Sequence, residues 1–340
     1  MQWREGQQYG HQLLIELMKT LNVDEKWCEF DREGFTWWAA DHAQRVWCED
    51  GVFQHSSTTY RIHCETDLIR GRGHAADFEV ALEREMDQTT LNALVFDHDG
   101  DTFKLHSSVF ATEENMAFLK RTSFAAVVLQ LVEAQVMARK LQQAVGATPA
   151  TSAHPTMGIR TQHDPILGAI AQHFVPAGNN PSRWIGVREW VDTEKAMERE
   201  AEKFASDHQT HLQAEFMWSA SQTPRGIVLD VNAREAHPAL GNGLHFTLSV
   251  PLMMSPERVS HMALELNQYE REQSKRSHML GSWSCHDGSL AFRSFIPNVV
   301  YRADLLPELT LNMSIRAQWV NEFFVEKRRQ AEAARTSAGQ

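Results

Sequence analysis

The sequence predicts an α+β protein built from two repeated units. Each unit is an antiparallel sheet flanked by helices in the order α-β-β-β-α-β-β-α, and the two are arranged as a pseudo-dimer. Three observations predict this. The tripeptide His-Asp-Gly occurs twice, as His98-Asp99-Gly100 and His286-Asp287-Gly288. After each copy the apolar positions keep register: Phe103 with Leu290, Leu105 with Phe292, Val109 with Ile296, then Phe118 with Leu305, Val128 with Ile315 and Val136 with Phe323. Short period-two runs alternate with longer runs of helical spacing in both halves. The offset is 188 residues at Asp99 and Asp287 and 187 from Phe103 onward, a domain-sized period that indicates duplication.

The first unit opens with an amphipathic helix, because Leu13, Leu14, Leu17, Met18 and Leu21 share one face. Phe35 to Ala40 alternates as a strand after the Glu33-Gly34 turn. Val46-Trp47-Cys48 and Val52-Phe53 flank Asp50-Gly51, a two-residue hairpin signal. Tyr60, Ile62 and Cys64 alternate with Arg61 and His63 and read as a strand with one buried face. Residues 75–88 are helical, with Phe78, Leu82 and Met86 on one stripe. A hairpin around His98-Asp99-Gly100-Asp101 and the long helical pattern Met116–Gln143 complete the unit.

The expected boundaries are 1–143 for the first unit, 144–163 for a flexible linker rich in Ala, Thr, Pro, Ser and Gly, 164–331 for the second unit, and 332–340 for a disordered tail. The second unit is read with a short opening helix Asp164–Phe174 and a strand at Trp184–Trp190. A helical insertion at Asp192–Asp207 has no counterpart in the first half. Leu212, Ala214, Phe216 and Trp218 mark a strand, and Ser255-Pro256-Glu257 starts a helix by its N-cap and its proline at the first helical position.

Composition narrows the function. The chain has 340 residues, with 33 Lys and Arg against 44 Asp and Glu, giving a net charge of −11. That balance argues against nucleic acid and against an anionic membrane surface. No apolar run is long enough to span a bilayer, and the N-terminus lacks a signal-peptide core, so a cytoplasmic location is expected. Cys28, Cys48, Cys64 and Cys285 form no CxxC pair and are expected as buried free thiols.

No motif carries a reaction. Asp97-His98-Asp99-Gly100-Asp101 spaces three carboxylates, but a calcium loop needs Gly sixth and Glu twelfth, and here Gly is fourth and Ser108 twelfth. A polar turn explains both copies. Cys285-His286-Asp287 holds the residue types of a nucleophilic site, yet neighbours on a strand point in different directions. His208 and His211 read as surface histidines, and Gly71-Arg72-Gly73-His74 as a connector. No metal, cofactor or catalytic residue is therefore expected. Ten tryptophans and thirteen methionines stand out. Trp37-Trp38, Trp218 and Trp283 are the expected anchors for a partner, since exposed aromatic surface marks binding sites.

The turn and strand Asp287–Phe292, the helix Leu305–Phe324, and their first copies Asp99–Phe110 and Phe118–Val136 resemble the type III secretion chaperone-like superfamily, which includes the bacterial sensory-transduction-regulator-like domains. The resemblance implies a small acidic fold that holds partner proteins through apolar surface, here as a tandem duplication. The resulting expectation is a non-catalytic protein-binding module, chaperone-like or adaptor. It would be a monomer with an internal pseudo-dimer or a homodimer. A small-ligand-binding regulatory protein and an enzyme of unrecognised class are the alternatives.

Overall fold

A computed structural model describes residues 8–54, 57–71, 75–168, 185–220, 225–252, 254–273 and 277–338. The first unit runs α1 (Tyr9–Thr20), β1 (Cys28–Phe30), β2 (Gly34–Trp37), β3 (Gln44–Cys48), β4 (Val52–Gln54), β5 (Ser57–Arg70), α2 (Ala75–Met86), β6 (Ala93–Asp97), β7 (Thr102–Ala111) and α3 (Met116–Val145). A two-residue strand, β8 (Thr148–Pro149), follows. The second unit runs α4 (Val187–Glu200), β9 (Lys203–Ser206), β10 (His211–Phe216), β11 (Ile227–Asn232), β12 (Ala236–His237), β13 (Gly241–Val250), α5 (Pro256–Gln273), β14 (Ser282–His286), β15 (Ser289–Pro297) and α6 (Leu305–Ala338).

The two sheets have one topology. The order β1-β2-β3-β5-β7-β6 in the first matches β9-β10-β11-β13-β15-β14 in the second, and the pairs are antiparallel. The fold is thus α+β with two similar units, as the repeat predicts. The two His-Asp-Gly turns join equivalent strands. In the second, His286 pairs with Ser289 across a two-residue loop, with Asp287 at φ 49° and Gly288 at φ 73°, the left-handed dihedrals of a tight hairpin. In the first, Asp97 pairs with Thr102, so the loop is two residues longer. The equivalence therefore shifts by two across the turn, from 189 at Asp97 and His286 to 187 at Thr102 and Ser289, and the offset of 188 read from Asp99 and Asp287 falls within the loops.

Several expectations change in detail. Each unit has strands beyond the five of the pattern: the short edge strands β1 and β9, and the short β4 and β12 that pair with β5 and β13. The hairpin expected at Asp50-Gly51 does not form; β3 and β4 both pair with β5. The expected insertion Asp192–Asp207 is in fact α4 and β9, the counterparts of α1 and β1, so it is the opening of the second unit. Its helix starts at Val187, inside the strand expected at Trp184–Trp190, because Trp190, Thr193, Glu194 and Met197 are buried at helical spacing. Of the helix expected at Asp164–Phe174, residues 165–168 are helical and 169–174 lie outside the described residues.

The connector expected to be flexible is tied to the first sheet. Its β8 pairs with β5, and Thr151 bridges His42. Arg160 Nη1 donates to Trp38 O at 2.7 Å while its Nη2 meets Asp164 at 3.2 Å. The expected tail from 332 begins inside α6, which continues to Ala338.

The inner face of sheet one packs on α1 and α3. Leu14, Leu17, Val46, Cys64, Phe124 and Val128 lie in one apolar cluster. A buried polar knot pins α3 to the strands: Gln130 accepts from Thr66 Oγ1 at 2.7 Å and donates to Cys64 O and Asn92 Oδ1, both at 3.1 Å. A larger apolar cluster runs without interruption from the first unit, through Leu68, Phe103 and Met137, into Phe246, Trp283 and Leu306 of the second.

The units meet reciprocally. Ser108 of β7 exchanges backbone hydrogen bonds with Met279, which precedes β14, at 3.1 and 2.7 Å. At the equivalent place Phe295 N of β15 donates to Thr90 O, which precedes β6, at 3.2 Å. Helix α5 packs over β6 and α2 over β14. These exchanges are the pseudo-dimer seam.

Candidate functional site

The four tryptophans expected to be partner anchors are all buried, none more than 7% exposed. This is a correction. Trp37 lies in the core beneath α1. Trp38 does point to the opposite face of its strand, but the connector covers that face: its indole donates to Ser152 Oγ at 3.3 Å and meets the His154 ring edge-on. Trp218 packs against Phe324. Trp283 donates to Glu270 Oε1 at 2.7 Å between Phe292 and Trp319. Each side chain is consumed by packing.

The motifs weighed in the sequence are not brought together. His286 is turned to Asp87 of the first unit at 3.0 Å, and Asp87 also takes Arg293 at 2.6 Å. His208 pairs with Glu194 and His211 with Asp230, each at 2.8 Å. Asp97 pairs with Lys104 at 2.8 Å. Gly71 is described, while residues 72–74 of its motif are not. All four cysteines are buried and none forms a disulfide. Burial pushes the Cys28 and Cys48 thiols up to about 12 and Cys64 well above its usual value, so these three are held as thiols, not thiolates. Among the described residues no group of three or more His, Cys, Asp or Glu is placed to hold a metal ion.

The structure instead opens a cleft of about 730 Å³ on the seam. One wall comes from the first unit. It contains Glu49, Asp50 and Val52 before and on β4, Thr59 and Arg61 of β5, Phe110 of β7, and Thr112 and Asn115 before α3. The other wall is His278 and one stripe of α6: Glu308, Leu311, Asn312, Ile315, Trp319 and Glu322. The spacing of that stripe puts its residues on a single helix face. Val52 is 53% exposed, its neighbour Phe53 73%, and Leu311 40%.

The polar side chains here are held rigidly. His278 Nδ1 accepts from Phe110 N at 3.0 Å, so the ring proton sits on Nε2, which donates to Glu308 at 3.0 Å. That hydrogen bond holds the Glu308 carboxyl below the usual range. Asn312 fixes the loop by accepting from His278 N at 2.5 Å. Across the cleft, a hydrogen bond from His63 at 2.8 Å likewise holds Glu49 low. Arg61 lies beneath the surface and donates to Glu270 O of α5 at 2.9 Å and to Ser108 Oγ at 3.3 Å.

Behind the cleft, the outer face of sheet one carries a buried polar row covered by the second unit. His63 stacks on Trp47, with ring centroids 4.6 Å apart and planes within 5°. Burial pushes its pKa down to about 4. Burial opposes ionisation of Glu65, yet hydrogen bonds from His106 at 3.0 Å and Arg271 at 2.5 Å hold it far below the usual carboxylate range. Glu270 and Arg316, both buried, form a two-pronged pair at 2.8 and 2.9 Å, and Arg316 also donates to His278 O at 2.7 Å.

Sequence reasoning missed these residues. The alternation of Tyr60, Ile62 and Cys64 with Arg61 and His63 predicts one buried face, whereas the structure buries Arg61, His63 and Glu65 as well. Three polar, hydrogen-bonding side chains in a row on one strand were the available signal. No helix among the described residues is long and apolar enough to cross a membrane. Set against known proteins, the chain matches no family model, no curated protein and no solved structure.

Proposed function

We propose that this chain is a non-catalytic, cytoplasmic binding module of the secretion-chaperone kind, and that a segment of a partner protein seats in the cleft between its units. One observation carries the reading. The cleft pairs exposed apolar side chains, Val52 and Leu311, with a rim of four carboxylates, Glu49, Asp50, Glu308 and Glu322. Among the described residues, the only arginine or lysine lining it, Arg61, is already engaged within the fold. A segment bringing apolar and basic side chains complements that surface, and the carboxylates would steer it. The overall acidic charge favours the same partner.

The test uses a fluorescent amphipathic peptide of leucine and lysine beside one of leucine and glutamate. The first is expected to bind, more weakly as salt rises, and the second not. Leu311→Asp and Glu322→Lys, both at exposed positions, should each weaken binding about tenfold, or about 1.4 kcal/mol. Equal binding of the two peptides, or indifference to both substitutions, would reject the reading.

A further inference from the structure

A second recess, of about 480 Å³, lies where α5 crosses the β6–β7 hairpin beside α2. Its floor is aromatic. Phe96 and Phe103 face each other across the hairpin at 4.7 Å, and Phe78 of α2 adds a third ring 5.2 Å from Phe103. Leu82 and Leu264 close the sides. The mouth carries the exposed His98 and His261. We propose that this recess is a binding site for a small, neutral, largely aromatic or branched apolar molecule with one hydrogen-bonding group at its outer end.

The volume lies in the range of drug-sized ligand sites, which are mostly apolar with a few polar groups. The chemistry argues for a neutral guest. Glu265 and Gln268 along the recess are already bonded within the fold. Glu265 is ion-paired with Lys327. Gln268 accepts from Phe96 N at 3.3 Å and donates to Glu272. A charged group pushed among the phenylalanines would lose its hydration, and an anion would also face the Glu265 and Glu272 carboxylates. At the mouth, the imidazoles of His98 and His261 can each give or accept a hydrogen bond, which suits a hydroxyl or carbonyl on the guest. The His98 ring stands edge-on to Phe96 at 4.7 Å, where it borders the floor.

The duplication strengthens the argument. Phe96 pairs with Phe103 in the first hairpin, and Cys285 pairs with Leu290 at the same register in the second. The smaller side chains do not supply an aromatic floor where α2 crosses the second hairpin. The aromatic floor therefore belongs to one side of the seam and is not repeated by this pair at the pseudo-equivalent place. It is separate from the inter-unit cleft and does not depend on what that cleft binds.

The experiment titrates the intact chain with N-phenylnaphthylamine, a neutral fluorescent probe, beside its sulfonated analogue. Saturable binding of the neutral probe at one site per chain is expected, with the sulfonate bound no more tightly. Leu264→Trp, which fills the recess, should weaken binding about tenfold or more. Because a filled recess could disturb packing, His261→Trp at the exposed mouth serves as a second variant with the same expected loss. Thermal midpoints are measured for both. Leu311→Asp, in the other cleft, should leave probe binding unchanged. The proposal is overturned by absence of saturable binding, by indifference to both tryptophan variants, or by loss of binding in Leu311→Asp alone.

Discussion

At the residue scale, the buried pair Glu270–Arg316 ties the helices of the second unit together. Its carboxylate also takes the Trp283 indole, and its guanidinium holds the His278 carbonyl and lies 3.6 Å over the Phe292 ring. Removing one member leaves a buried charge without a partner, which costs roughly 3–5 kcal/mol. Glu270→Leu and Arg316→Met should each lower stability by that order in urea unfolding, while the double variant should lose clearly less than the sum. Additive losses would show that the pair is not coupled. Histidines at equivalent positions give a second prediction. Burial pushes both His63 and His245 down to about 4 from 6.5. Each ring stays neutral in the folded chain while the unfolded chain takes up a proton below about 6.5. Their contribution is complete above that pH and is lost as pH falls toward 4, by about 3 kcal/mol per ring at the limit. His63→Gln and His245→Gln should flatten the fall in unfolding free energy between pH 7 and pH 5. An unchanged slope in both would contradict the burial argument.

At the element scale, α6 is two things joined. Its first five turns bury Leu305, Leu309, Met313, Arg316, Val320 and Phe324, and beyond Glu326 nearly every described side chain is exposed. A helix end that is polar all round contributes little to the fold. A chain ending at Gln330 should therefore keep its stability within about 0.5 kcal/mol, the range of ordinary surface changes. A larger drop in the denaturation midpoint would mean the end packs on something. This scale also shows what the sequence made legible. Long amphipathic elements were readable, because period and burial agree in α1, α2, α3 and the second-unit strands, and the His-Asp-Gly hairpins located the repeat. Edge strands β1 and β9 were not, since three or four residues are too few to establish alternation. Helix α4 was misplaced because its buried stripe includes Thr193 and Glu194, which do not look apolar. The site was less legible than the fold. Its walls come from segments far apart in sequence, Glu49 to Asn115 and His278 to Glu322, and their meeting depends on how the units dock. The tryptophans misled for the same reason: whether an aromatic side chain is an anchor or core depends on what covers it, and the connector that covers Trp38 carries no apolar period.

At the scale of the whole molecule, the seam decides whether two units behave as one. Apolar core runs through it, and polar contacts cross it in both directions. Arg271 of α5 reaches Glu65 on the outer face of sheet one, and Arg293 of sheet two reaches Asp87 at the end of α2. Arg61 adds a donor to the Glu270 carbonyl across the same boundary. Separating the units would expose that apolar surface and leave Glu65 and His106 without their covering helix. The units should therefore unfold together, with the calorimetric and van't Hoff enthalpies equal. Weakening the seam is the sharper test. Glu65→Ala leaves Arg271 without its carboxylate and His106 without its acceptor, and Asp87→Ala does the same to Arg293 and His286. The two sites lie on opposite sides of the pseudo-two-fold, so their effects on docking should accumulate. The double variant is expected to show a broadened or split thermal transition where the parent shows one. A parent chain that melts in two steps would refute the shared core as the link between units. A double variant that keeps one sharp transition would place the coupling in the apolar contacts and the Ser108–Met279 and Phe295–Thr90 backbone bonds, not in the ion pairs.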